Sequence, residues 1–160
     1  MNCKNKIKKN HFIIRVADGK NFKNSIRPFW GIKKGKYGSI KGFIVNNIKS
    51  GDILWFCTNK KNGGKAIGMA EYTTLYDRDD EPLIKINTYS NKEQGWEGDE
   101  DWSLQLHYKK LYNTEKQDIK VIVSGPMPVI EYKPDNKNQI NVDNLYKHYN
   151  GFLFYGVYKY

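Results

Sequence analysis

The chain has 160 residues, a formal net charge of +10 and an isoelectric point near 9.4. This length allows one domain with a substantial core, and the charge favours a polyanionic partner, nucleic acid before an anionic membrane surface. Two cysteines, Cys3 and Cys57, exclude a disulfide framework, and no segment has the length and apolarity of a membrane span. We therefore expect an intracellular protein, cytoplasmic or nuclear and not secreted, that contacts no membrane and is a monomer.

The first part of the chain predicts a tail, a strand and a helix. Residues 1–10 are predicted to be a flexible basic tail, and residues 11–160 the folded domain. The β-branched run HFIIRV predicts a buried strand. Asp18 and Gly19 end this strand, and Asp18 could cap a helix that closes at Pro28. The next stretch, SIKGFIVNNIKSGD, has a helical stripe, but its glycine and β-branched residues weaken a helix, so both structures stay open.

The clearest pattern is a β-hairpin formed by GDILWFCTN, the turn KKNGG and KAIGMAEYTTLYD. Asn62, Gly63 and Gly64 are residue types that tolerate positive φ in such a turn. Further strands are predicted for PLIKINTY, WSLQLHYKKLYN and DIKVIVSG, with MPVIEY as a turn or an edge. NVDNLYKHYN predicts a short helix, and FLFYGVYKY predicts a closing aromatic strand. Many strands with two or three helices between them indicate an α+β domain with a curved or barrel-like sheet.

Candidate catalytic groups are few. His11, His107 and His148 have no second His, Cys or Ser at a diagnostic spacing, and a solvated side chain is favoured for His107. The acidic run YDRDDEP lacks the ligand spacing of a calcium loop and is better explained as a charged turn. We therefore expect no enzyme activity, no cofactor and no metal. If the chain were an enzyme, Lys65, Glu71 and His107 would be its catalytic candidates.

The four tryptophans divide into two kinds. Trp55 and Trp102 lie in predicted strands, where packing in the core is favoured. Trp96, in GWEGDED, has no apolar neighbour in the sequence, and Trp30 is followed by glycine and lysines. Two loop tryptophans that face each other could hold a planar base between them, at about 1–3 kcal/mol per stacked ring.

The order of these segments resembles a known family. FIIRVADGKNFKNSIRPFWG, GDILWFCTNKKNGGKAIGMAEY and WSLQLHYKKL together resemble the YTH domain and its relative the EVE domain, both within the PUA-like superfamily. The resemblance spans residues 11–112 and implies a PUA-like fold that captures a modified base in an aromatic cage. The cage's third apolar position has no counterpart here, the nearest residue being Gly98. The residues after DIKVIVSG also depart from the YTH pattern, which leaves the EVE branch open.

The resemblance also implies roles for individual residues. Trp30 takes the place of the first cage tryptophan. Gly31 takes the position at which the family holds the edge of the base with its main chain. Asp18 lies in the polar turn that bonds the base in the family. Trp96 lies in the loop that supplies the second wall, and Trp102 is the other candidate for that face.

Three functions follow for comparison. The first is a module that binds a modified base, of the N6-methyladenosine type in single-stranded RNA, or a modified DNA base. Its phosphate contacts would come from positive side chains next to the cage, which are Arg15, Lys33, Lys34 and Lys36. The second is a PUA-like nuclease, and the third is a protein whose aromatic loop binds another protein. The sequence favours the first.

Overall fold

The computed structural model describes residues 9–123, 125–132, 139–140 and 145–155. The strands are β1 (His11–Arg15), β2 (Phe29–Ile32), β3 (Ile53–Cys57), β4 (Ala66–Asp77), β5 (Leu104–Asn113), β6 (Ile122–Val123), β7 (Val129–Glu131) and β8 (Gln139–Ile140). The α-helices are α1 (Lys20–Asn24), α2 (Ser39–Asn47), α3 (Asn91–Gln94) and α4 (Leu145–Tyr155).

Six strands form one curled mixed sheet, a half barrel, in the order β2-β5-β4-β3-β1-β7. Strands β1 and β3 are parallel, with Arg15 opposite Cys57, and the other pairs in this sheet are antiparallel. Strands β6 and β8 form a separate antiparallel pair. The predicted α+β class with a curved sheet is therefore confirmed for the described part of the chain.

Both faces of the sheet are covered, which explains why β1 and β3 are continuous apolar runs. Alternation along the strands sends Phe12 and Phe56 into a cluster with Phe22 of α1 and with α2. It sends Ile13 and Trp55 into a second cluster on the opposite face, beside α4. The sheet thus carries a core on each side.

The predicted hairpin is confirmed, since β3 and β4 pair antiparallel around the turn. Gly63 and Gly64 adopt φ of 110° and 55°, the region that favours glycine. The stretch left open between helix and strand is α2, whose Ile44 is buried against the sheet. The predicted edge segment is also an edge in the structure, because β7 ends the sheet.

Three predicted elements are wrong. The first helix ends at Asn24, and Phe29 begins β2. Residues 82–89 form no strand, and Leu83 is completely exposed, because the alternating pattern finds no partner strand. Phe152 lies in α4 and not in a closing strand, since the helix passes through Gly151.

The start of the predicted tail, residues 1–8, lies outside the described residues, as do residues 156–160 of the predicted closing strand. Lys9 and Asn10 are described. Lys9 Nζ lies 3.3 Å from Glu71 Oε1, and the Asn10 amide donates to Asp52 Oδ1.

Candidate functional site

A cleft of about 460 Å³ opens where the carboxyl ends of the parallel strands β1 and β3 meet the edge strand β2. Its volume lies within the range of small-molecule sites. Twelve described residues line it: Arg15, Ala17, Asn21, Trp30, Gly31, Ile32, Lys33, Ile40, Asn59, Trp102, Pro126 and Pro128. The cleft therefore brings together five residues that the sequence selected: Arg15, Trp30, Gly31, Lys33 and Trp102.

Trp30 is half-buried in β2, opposite Leu106 of β5. Its ring contacts Phe22 and Trp96 edge-on, with centroids 6.3 Å and 5.1 Å away and interplanar angles of 69° and 60°. Part of the indole thus packs against the core while part of it lines the cleft. Trp30 is therefore both a partly packed core residue and a wall of the cleft.

Gly31 allows Trp102 to reach the cleft. A Cβ at Gly31 would collide with Cβ and Cγ of Trp102 and would lie 2.7 Å from its Cδ1. The φ of Gly31 is not in the left-handed region, so close approach of the ring is what requires glycine here. Trp102 is half-buried and lines the cleft with Trp30.

Positive charge borders the aromatic walls. The Arg15 Nε donates to the Met127 carbonyl at 2.8 Å, which fixes the guanidinium beside the cleft. Lys33 Nζ lies 5.9 Å from the Trp102 ring centroid and 3.3 Å from Glu100. Because Lys33 and Glu100 are both exposed, their ion pair holds the lysine weakly, and its charge stays accessible to an anion.

Trp96 is not an exposed loop residue, and the expectation that it lacks apolar neighbours is wrong. It is 6% exposed, and its ring lies edge-on against Phe29 and Trp30 at 5.2 Å and 5.1 Å. Its Nε1 donates to Ser25 Oγ at 2.9 Å. These neighbours are about 70 residues away in the sequence, so local composition could not show them. Trp96 supports Trp30 from within the protein and does not line the cleft.

Three further candidates also lie outside the lining. Asp18 is exposed, and its Oδ1 accepts the Lys20 amide at 2.9 Å, which fixes the start of α1. Lys34 Nζ lies 2.9 Å from Asp77 and 2.7 Å from Asp79, and hydrogen bonds to these carboxylates raise the pKa of Lys34. Lys36 is exposed, with Nζ 5.4 Å from the Tyr37 ring.

Asn21 and Asn59 line the cleft and were missed by the sequence reasoning. The Asn21 amide bonds the main chain of Glu97, accepting from its nitrogen at 3.0 Å and donating to its oxygen at 3.4 Å. The Asn59 side chain makes no hydrogen bond to the part of the chain that the structure describes, although its main-chain nitrogen donates to the Ala17 oxygen at 2.9 Å. Asn59 follows the carboxyl end of β3, a position at which open sheets bind ligands. Asn59 could be identified as a cleft residue only by knowing that β1 and β3 are parallel neighbours.

The three catalytic candidates do not line the cleft. Glu71 Oε1 lies 3.3 Å from Lys9 Nζ and 3.7 Å from Lys110 Nζ, and Lys65 lies in an isolated bridge to Lys120. The expectation that His107 is solvated is wrong. Its Nε2 is buried without a hydrogen-bond partner among the described residues.

His107 is enclosed by rings from other strands. Its ring stacks on Phe29 at 5.3 Å and meets Tyr76 edge-on at 5.1 Å. Burial lowers the pKa of His107, so the imidazole is held neutral. Within the described ranges, no group of three or more His, Cys, Asp or Glu side chains could hold a metal ion.

No protein-family model matches this chain, and the search of curated proteins found no match either. Among the described helices, none is both long and apolar enough to cross a membrane.

Proposed function

We propose that this protein binds nucleic acid by taking one base, flipped out of its strand, into the cleft between Trp30 and Trp102. The observation that carries the proposal is the convergence of two half-buried tryptophans and two cations, Arg15 and Lys33, on one cleft. Flat apolar walls stack on the faces of a base, and cations beside them attract the phosphates on either side of it. The domain would then be a PUA-like module related to YTH and EVE domains.

The base is proposed to be modified, of the N6-methyladenosine type, in single-stranded RNA. Besides the tryptophans, Ile32, Ile40, Pro126 and Pro128 supply apolar surface to the cleft. A methyl group on a base adds apolar area that such a lining can cover, and each buried carbon is worth about 0.8 kcal/mol. A modified DNA base is the alternative ligand with the same shape and chemistry.

Recognition of the base edge is assigned to Asn59. Its amide lines the cleft and carries both a donor and an acceptor with no partner among the described residues. Asp18, which the family resemblance implied for this role, bonds the Lys20 amide outside the cleft lining. Asn59→Ala should therefore reduce discrimination between bases, whereas Asp18→Ala should leave it unchanged.

The test is a comparison of short labelled oligonucleotides, RNA and DNA, with and without the N6-methyl group, by fluorescence anisotropy at fixed salt. The wild type should prefer a methylated strand over its unmethylated form. Trp102→Ala should weaken binding by about 1–3 kcal/mol, or roughly 5- to 150-fold, because one stacking face is lost. Tyr37→Ala is the matched control, since this ring is 95% exposed and does not line the cleft.

Two results would contradict the proposal. One is equal affinity of the wild type for methylated and unmethylated strands of both RNA and DNA. The other is an equal effect of Trp102→Ala and Tyr37→Ala, because a cleft that binds a base must be more sensitive to the loss of its own wall.

A further inference from the structure

A second depression, a groove of about 360 Å³, lies beside the cleft. Helix α1 separates the two, because Asn21 lines the cleft whereas Phe22 and Lys23 line the groove. Tyr108 and Pro28 add to the apolar part of the groove lining. Four cationic side chains also line it: Lys23, Arg27, Lys109 and Lys110.

The groove has a surplus of positive charge. Lys23 Nζ lies 2.8 Å from Glu115, and Lys110 Nζ lies 3.7 Å from Glu71. Lys109 and Arg27 have no carboxylate within ion-pair distance in the described part of the chain. Arg27 Nη1 donates to the Glu93 carbonyl, and its guanidinium lies 4.2 Å from the Tyr89 ring centroid. Among the described residues, Lys109 is therefore the groove cation that is exposed and has no partner for its charge.

Three consecutive residues of β5 border this groove, at a point where the strand is irregular. Side chains of a regular strand alternate between its faces, yet Lys109, Lys110 and Leu111 all line the groove. A register shift against β4, between Met69 and Glu71, marks a β-bulge at this point. Lys110 adopts a φ of 54°, which is uncommon for a residue other than glycine. Bulges of this kind re-aim side chains and are frequent beside binding sites.

One aromatic contact connects the lining of the groove with the lining of the cleft. Phe22 of the groove lies 6.3 Å, ring centroid to ring centroid, from Trp30 of the cleft. Helix α1 lies between the two linings, and a helix is about 10–12 Å across with its side chains. A single strand that leaves the cleft can cross this distance within a few nucleotides.

We infer that the groove holds nucleotides of the same single strand whose flipped base occupies the cleft, with Lys109 as a phosphate contact. This inference rests on the proposed function and extends it: the ligand is an oligonucleotide read on one side of the captured base, and not an isolated modified nucleoside. The phosphates face the cations, and the apolar lining, including Phe22 and Tyr108, contacts sugar or base.

The experiment compares three ligands, which are the N6-methylated nucleoside, strands extended from it only in the 5′ direction, and strands extended only in the 3′ direction. Affinity should rise with length in one series and level off early in the other, because the groove lies on one side of the cleft. Lys109→Glu should remove most of that gain and leave the nucleoside affinity unchanged. It should also lower the slope of log affinity against log salt by about 0.7, the value for one phosphate contact in a single strand.

Lys49→Glu is the matched control, because Lys49 is exposed and lines neither opening. If the nucleoside binds but Lys109→Glu changes the strand affinity no more than Lys49→Glu does, the groove inference is wrong and the proposed function stands. If neither the nucleoside nor any strand binds the wild type, both are wrong. Equal gains in affinity in the 5′ and 3′ series would also contradict the inference, because the groove lies on only one side of the cleft.

Discussion

Replacing Trp30 with alanine separates the contribution of this ring to binding from its contribution to the fold. Truncating a fully buried tryptophan or phenylalanine typically costs about 3–5 kcal/mol of unfolding free energy. Trp30 is half-buried and packs edge-on against Phe22 and Trp96. We therefore expect Trp30→Ala to cost about 2 kcal/mol of stability, roughly half the value for an enclosed ring. The variant should remain folded at room temperature.

The same substitution removes one stacking face from the cleft, so binding of a methylated strand should weaken by about 1–3 kcal/mol. Stability is measured by urea denaturation followed by circular dichroism, and affinity by anisotropy in the absence of urea. Trp55→Ala provides the comparison for stability. Trp55 is completely buried, and its Nε1 donates to His11 Nδ1 at 2.9 Å.

Two outcomes would refute this reasoning. An affinity within twofold of the wild type, in a folded Trp30→Ala protein, would show that the ring is no part of a base site. A loss of stability as large as that of Trp55→Ala would show that Trp30 acts as a core residue, and its place in the cleft lining would then be incidental.

Three further predictions follow from the same structure. Gly31→Ala should cost about 1–3 kcal/mol of stability and weaken binding, because the added methyl collides with Trp102. Gly42→Ala should instead stabilise the protein by about 1 kcal/mol, because Gly42 lies inside α2 with open space around its Cβ. Equal denaturation midpoints of the two variants would contradict both predictions. Burial, together with a nearby lysine, lowers the pKa of His11 to about 4. The unfolded chain therefore takes up a proton near pH 6.5, whereas the folded protein binds it only near pH 4, so up to about 3 kcal/mol of stability should be lost as the pH falls from 6.5 to 4. In denaturation curves at each pH, His11→Phe should lose clearly less stability over this range than the wild type, and the loss that remains comes from other groups such as His107. Lys34→Ala should lower the melting temperature, since Lys34 is bonded to two carboxylates, and should leave the salt dependence of strand binding unchanged; a smaller salt slope would show that Lys34 contacts phosphate after all.

Local patterns alone determined a good part of the fold. The hairpin of β3 and β4 was predictable because turn residues and two apolar runs lie next to each other in the sequence. Strand β1 was predictable because a β-branched run buried on both faces needs no partner to be recognised. The same reasoning failed for residues 82–89, which have the alternation of a strand but no strand beside them to pair with. It failed for Phe152 because packing of α4 against the second cluster, at long range, outweighs local β propensity.

The residues of the candidate site also fall into two groups, those that the sequence identifies and those that only the tertiary structure identifies. The sequence by itself singled out Trp30, since an aromatic ring followed by glycine and lysines is a local pattern, and the family resemblance added Gly31. Only the tertiary structure decided which other tryptophan accompanies Trp30. Trp96 is covered by Phe29 and Trp30 from a distant part of the chain, whereas Trp102 reaches the cleft because Gly31 leaves room for its ring. Burial depends on contacts between segments far apart in sequence, and no local composition encodes them.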